Sequence, residues 1–430
     1  MGGAIVSLQG QHYNMLTSQS AVFKQCSKLC GGPTVAGVED HVFGHGPHPS
    51  QMRRSGGKVR PMTGVRLIAD DLTGALDAAI AFVEAGRGVP VYWGGVPVLE
   101  AAGSLAVDSA TREAGPEEAR RKVAELARAM PRGDGAICFA KLDSLLRGQA
   151  AAEIAGWIEA FAPDRCIVAP AFPHHGRITR GGLQYLHTEA GERAVGASLA
   201  AGLRAEGVPV RLCRPGDAAP AGVSLWDAES DEDLASVVEV GRACEGVTLW
   251  CGSGGLAAAL TQGPGQAAID PAALPRPILG LFGTDHPVTR AQLAACGDAV
   301  LALADGGRAS AASLSAKLSA EGAALACLSL PEGLARTEAA GRIGSEFARL
   351  AEVLDAPGTL VVAGGETLRG LCLALGADHL DLYGQIEAGV PCSVLRGGRF
   401  DGVHVVSKSG AFGAPSLLRR LIFPVQGDHT

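Results

Sequence analysis

The chain has 430 residues, of which 47% are hydrophobic and 19% charged, with 44 acidic against 37 basic side chains and a formal net charge of -7. That length exceeds one ordinary core and suits two domains, and the composition is globular rather than disordered. The acidic balance and an aromatic content of only 4% argue against nucleic acid as a partner, since phosphate backbones require a basic excess and single strands require stacking platforms.

Residues 1–61 are rich in Gly, Ser, His and Gln and show no sustained periodicity. They also lack the basic, apolar and cleavage regions of a signal peptide. They are expected to be a disordered extension or the product of a start assigned too far upstream. No apolar run approaches the roughly 20 residues of a membrane span, so no membrane partner is expected. The 11 Cys residues are scattered singly without a C-x-x-C pair, which reads as reduced core thiols in a cytoplasmic protein.

From Met62 the pattern sharpens. A short buried strand is predicted over 65–69, a helix over 76–85 closed by Gly86, and strands over 89–93 and 104–108. A helix over 116–129 carries Pro116 in its first turn, where helices accept it. Strand 136–140, helix 153–161 and strand 166–170 follow. Apolar strands of about five residues separated by helices indicate a parallel sheet covered on both faces. The stretch 211–223, with Pro215, Gly216, Pro220 and Gly222, reads as an inter-domain linker. A second series then runs through strand 222–226, helix 231–244, strand 247–251 and helix 254–260. A Pro-rich break over 270–277 precedes strands at 278–282, 300–304, 323–329 and 359–363. The expected architecture is two three-layer α/β domains with mainly parallel sheets, 62–214 and 223–425, and an active-site cleft between them.

Open α/β sheets bind ligands beyond the carboxyl ends of their strands, so the strand-to-helix junctions carry the chemistry. In VRLIADDLTGALDAA, Asp70 and Asp71 end a strand; such carboxylates can serve as helix cap, as Mg²⁺ ligand or as acceptor for sugar hydroxyls. In ICFAKLDSLLRG, Lys141, Asp143, Ser144 and Arg147 place two cations, a carboxylate and a hydroxyl within seven positions, a set suited to a small hydroxy-carboxylate. In IVAPAFPHHGRITRGG, Arg177 is the candidate anion ligand. The neighbouring His174 and His175 do not converge, and no third ligand is spaced for zinc; no metal-ligating residue is assigned. Three glycine turns, LWCGSGGLAAAL, VVAGGETLRGLCLALG and VVSKSGAFGAPSLLRRL, each read strand, glycines, helix, and together they point to phosphate binding at helix starts. No P-loop, protein-kinase or dinucleotide fingerprint is present.

ADDLTGALDAA, VDSATREAGPEEA, KLDSLLRG, APAFPHHGRITRGG, CGSGGLA, GGETLRGL and KSGAFG occur in the order found in the four-carbon acid sugar kinases, and the chain resembles that family over roughly residues 64–423. The resemblance implies an N-terminal substrate domain, a C-terminal nucleotide domain and ATP-dependent phosphorylation of the terminal hydroxyl of a 3-oxo-tetronate, threonate or erythronate. It assigns the acid sugar to Asp70, Asp71, Arg112, Lys141, Leu142, Asp143 and Ser144. ATP is assigned to Ser253, Gly364, Gly365, Glu366, Thr367 and Gly410, with Mg²⁺ near Glu366. Arg112 and Lys141 are expected to hold the carboxylate and hydroxyls, and either Asp71 or Asp143 to orient or deprotonate the attacking hydroxyl. The alternatives are a kinase for another small sugar acid or polyol, or a non-catalytic nucleotide or metabolite sensor. A homodimer is compatible with either reading.

Overall fold

In a computed structural model, residues 64–423 are described apart from 85, 98–102, 132–134, 189–190, 262–267 and 332. The expected N-terminal extension lies outside the described residues. In chain order the elements begin with β1 (Val65–Ala69), α1 (Leu72–Ala79), β2 (Val89–Trp93), β3 (Leu105–Asp108), α2 (Pro116–Ala129), β4 (Ile137–Lys141), α3 (Ala150–Phe161) and β5 (Arg165–Ala169). A small antiparallel group follows, β6 (Arg177–Arg180), β7 (Leu183–Thr188) and β8 (Gly191–Ala194). Then come α4 (Leu199–Ala205), β9 (Val210–Cys213), β10 (Gly222–Trp226), α5 (Asp231–Arg242), β11 (Thr248–Gly252) and α6 (Gly254–Thr261). The second series opens with β12 (Ile278–Phe282), α7 (Pro287–Ala294), β13 (Val300–Leu303), α8 (Arg308–Glu321), β14 (Ala323–Leu328) and α9 (Arg336–Val353). It closes with β15 (Thr359–Ala363), α10 (Gly365–Ala374), β16 (His379–Glu387), β17 (Val390–Arg396), β18 (His404–Lys408) and α11 (Leu417–Ile422).

The sheet is longer than the sequence suggested. Its strand order is β13-β14-β12-β15-β18-β17-β16-β2-β3-β1-β4-β11-β5-β10-β9. Two runs of parallel strands, the expected α/β pattern, are joined edge to edge where β16 pairs antiparallel with β2, from His379↔Tyr92 to Leu382↔Val89. That junction was not foreseen. Its β16–β17 hairpin alternates buried and half-buried residues along β16, the signature of a strand with one covered face.

Two expectations need correction. Strands β10 and β11 were read as the start of the second domain, yet β11 lies between β4 and β5, and β10 between β5 and β9. The predicted linker 211–223 therefore contains the edge strand β9 and leads back into the first run. The break between the two runs falls later, ahead of β12. The local pattern of β11 (TLWCG, buried along its length after Thr248) is that of any interior parallel strand, so it could not reveal its neighbours.

One apolar cluster continues through both runs on one face of the sheet and includes Leu76, Trp250, Leu281, Val362 and Leu371. The opposite faces are covered separately, around Ile154 and Trp157 in the first run and Val361 and Leu417 in the second. The cysteines of the described residues are free thiols, most of them buried. Among the described residues no helix is long and apolar enough to cross a membrane.

Candidate active site

The carboxyl end of β1 delivers two aspartates with different tasks. Asp71 caps α1, its Oδ1 accepting the Gly74 N–H at 2.6 Å and its Oδ2 the Thr73 hydroxyl at 3.0 Å. This cap starts α1 four residues before the apolar period predicted, because a carboxylate satisfies the orphan amides of the first turn. Asp70 is 2% exposed and receives Arg112 bidentately, Nε to Oδ2 and Nη2 to Oδ1, both at 2.8 Å. Arg112 also pairs with Asp71 through Nη1 and lies 3.5 Å from Asp143 Oδ2 through Nη2. The guanidinium expected to grip a substrate thus spends its donors on three carboxylates. It organises the acids rather than lying open.

Asp143 is similarly committed. Arg147 donates to both its oxygens, at 3.0 and 2.6 Å, and the Leu145 and Arg147 amides donate to Oδ1 at 3.0 and 3.1 Å. Burial alone would raise its carboxyl, but the Arg147 hydrogen bonds and the Arg112 charge hold it well below the usual carboxylate range. Lys141, 5% exposed, donates to the Leu142 carbonyl at 2.9 Å and makes no ion pair among the described residues. Its Nζ would lie 3.3 Å from a Cβ placed on Gly74, beside Asp70 and Asp71. Leu142 is buried in the core and participates through its backbone, whose N–H bonds the Gly252 carbonyl. Ser144 presents its carbonyl to Gln184. Arg177, on β6, makes no ion pair among the described residues, its Nε has no partner among them, and its guanidinium lies 5.8 Å from the centroid of the Phe412 ring.

The glycine turns of the second run meet this cluster. Gly364 has φ +107° and donates its N–H to the Lys408 carbonyl, and α10 starts at the next residue. A Cβ on Gly365 would stand 3.0 Å from Thr73 Oγ1 and 3.2 Å from Asp71 Oδ2. The aspartate end of β1 and the glycine turn after β15 therefore border one crevice. Glu366 is exposed in the first turn of α10, and Thr367 is buried beneath it against Gly283. Gly410 packs on Thr284 and His286, where a Cβ would lie 2.5 Å from Thr284 Oγ1. A second bridge joins the runs: Arg369, on α10, donates to Asp108 at the end of β3 at 3.0 Å. A third is the His175 ring, stacked on Phe412 with centroids 4.3 Å apart and planes 3° from parallel. Burial and the nearby Arg177 charge push that imidazole down to about 4, so it stacks as a neutral ring.

Ser253 stands apart from the other expected nucleotide residues. It follows β11, in the run that carries the aspartates. Its hydroxyl is spent internally, donating to the Ala171 carbonyl at 2.6 Å and accepting the Gly255 N–H at 3.1 Å. Conversely, Lys408 went unassigned although KSGAFG was singled out. It is 2% exposed, donates to Thr289 Oγ1 at 2.7 Å and more weakly to the Gly410 carbonyl at 3.4 Å, and has no carboxylate partner among the described residues. Burial pushes its ammonium down to about 8. A lysine preceding a glycine turn at a strand end was the available signal. A shallow depression lined by Gly88, Asp381, Tyr383, Val394, Arg396 and His404 shares no residue with the crevice.

Residues 65–210 match a sugar-binding N-terminal domain and residues 279–418 a nucleotide-binding C-terminal domain. The chain is 33% identical over 407 residues to a D-threonate kinase of Cupriavidus necator, covering 82% of this chain and 95% of that protein. It is 29% identical over 429 residues to a 3-oxo-tetronate kinase of Pseudomonas fluorescens, covering 86% and 98%. A crystal structure of a Haemophilus influenzae protein shares the fold, with a TM-score of 0.60 at 18% identity, covering 83% of this chain and 98% of that one.

Proposed function

The chain belongs to the four-carbon acid sugar kinase family, and from that premise we propose that it transfers the γ-phosphoryl group of ATP to the terminal hydroxyl of a four-carbon acid sugar of the D-threonate type. One observation carries this reading: the Gly365 backbone lies against Thr73 and Asp71, which brings a phosphate-type turn to the acid cluster within a single crevice. Phosphoryl transfer asks for positioning and neutralisation of charge more than for covalent chemistry, and both are present in side-chain form.

In this reading Lys141 and Arg177 hold the substrate carboxylate, since both are cations without an ion pair among the described residues. Arg112 fixes Asp70, Asp71 and Asp143 as a rigid row of carboxylates beside the sugar. On the other side, the amides from Gly365 to Thr367 and the Lys408 ammonium receive the phosphates. Lys408 fits that task because a buried cation lacking a counter-charge is costly until an anion arrives. Gly410 lets the chain pass close, and Ser253 supports the wall of the crevice. ATP supplies the transferable group. Mg²⁺ would neutralise the phosphates with Glu366 as protein ligand. No group of three His, Cys, Asp or Glu side chains surrounds a metal position among the described residues, so the ion's other ligands would be phosphate and water oxygens, as is usual for Mg²⁺.

The test is ADP formation in a coupled assay with D-threonate, D-erythronate and 3-oxo-tetronate as acceptors. Turnover with at least one of them is expected. ATP binding without ADP release on any four-carbon acid would reject the reading.

A further inference from the structure

We propose that Asp77, and not Asp71 or Asp143, accepts the proton of the substrate hydroxyl as it attacks the phosphate; this inference rests on the kinase reading above. A general base needs a carboxylate that is reachable and whose lone pairs are not already engaged. Asp71 is occupied by the Thr73 hydroxyl, the Gly74 amide and Arg112. Asp70 is locked bidentately to Arg112. Asp143 takes donors from Arg147 and two amides. Asp77, by contrast, makes no hydrogen bond and no ion pair among the described residues, and it is partly exposed.

Its place in the fold follows from α1. Residues four apart lie one above the other on a helix, so Asp77 stands one turn beyond Thr73, the residue that Gly365 approaches. Its Oδ2 lies toward Gly254, where a Cβ would stand only 3.0 Å away, while the residue keeps a partly exposed surface. Lys141 from β4, Arg177 from β6, Asp71 at the α1 cap and Asp143 after β4 all act on it electrostatically. The two cations assigned to the substrate carboxylate are thus the two whose charges act on Asp77. A short acid held there would present a hydroxyl to this carboxylate. Burial in the crevice wall raises its pKa above the ordinary aspartate value, which makes it a stronger acceptor than a solvated carboxylate. As the hydroxyl oxygen bonds to the γ-phosphorus, the γ-phosphorus–oxygen bond to the β-phosphate breaks and its electron pair leaves with ADP. The hydroxyl proton passes to Asp77 and then to water.

Asp77→Asn and Asp77→Glu test this, with melting temperature and ATP binding as controls for folding. Asp77→Asn is expected to lower kcat about 10²-fold or more, to leave ATP affinity within twofold and to abolish the fall of kcat/KM for the acid toward low pH. Asp77→Glu keeps that fall. Turnover of Asp77→Asn within tenfold of the parent, or a retained acidic limb at any activity, overturns the inference. So does loss of the limb in Asp77→Glu. A parent enzyme that forms no ADP with any four-carbon acid overturns the kinase reading instead.

Discussion

Lys408 illustrates how one buried charge can set a pH limit. In the proposed function its ammonium, lowered to about 8 by burial, receives phosphate in the protonated form. kcat/KM for ATP is therefore expected to decline as pH rises through about 8. Lys408→Arg should remove that decline, because a guanidinium stays charged, and Lys408→Met should raise KM for ATP at every pH. Steady-state kinetics between pH 6 and 9.5 check both. Glu153 sets a limit on stability. It is 5% exposed behind Asp70, accepts the Thr111 hydroxyl at 2.6 Å, and is raised by burial and the Asp70 charge to about 8. The folded state thus keeps a proton that the unfolded chain loses above its ordinary value of 4.5. The contribution of Glu153 to stability is therefore expected to fall as pH climbs from 4.5 toward 8, at up to roughly 1.4 kcal/mol per unit. Glu153→Gln preserves the hydroxyl contact and should flatten that fall, so that the variant melts above the parent at pH 8.

Between elements, α10 is tied to β3 by the Arg369–Asp108 pair. Asp108 is 1% exposed and burial raises its carboxyl to about 6, even with Ala110 N–H and Arg369 as partners. Arg369→Gln leaves that carboxylate buried without its counter-charge, and at pH 8 should cost about 1–3 kcal/mol. Asp108→Asn combined with Arg369→Gln should recover most of that loss, because removing both ends is cheaper than removing one. Thermal denaturation of the single and double variants decides it; equal losses would show the pair to be uncoupled. The same scale shows what local reading could reach. Helix α2 lies where predicted, started by Pro116 with Glu117 and Glu118 in its first turn and Arg128 in its last. The β6–β8 group was missed, since Gly-rich loops around short strands carry no strong period; the β16–β17 hairpin was missed although β16 does alternate along its nine residues.

Across the molecule, the continuous sheet and the apolar cluster shared by both runs predict one cooperative unfolding transition rather than two. Calorimetry should give a single peak, and two well-separated peaks would contradict it. Leu380, fully buried on β16 opposite Val91, sits at the seam. Leu380→Ala should cost about 2–5 kcal/mol and be the change best able to split that peak. What the amino-acid order determined by itself was the class of fold, the strand-to-helix junctions, and the residue types of the candidate site: paired aspartates, a Lys-Leu-Asp-Ser run and glycine turns. These are local properties, set by hydrophobic period, capping and turn chemistry within a few residues. Only the tertiary structure decided that β10 and β11 return to the first run, that Arg112 is consumed by three carboxylates, and that among the described residues Asp77 has no hydrogen-bond or ion-pair partner and Lys408 no carboxylate partner. Strand neighbours and charge pairing join residues tens to hundreds of positions apart. Whether a charged side chain is spent or free is therefore fixed by geometry, which no short window of sequence contains.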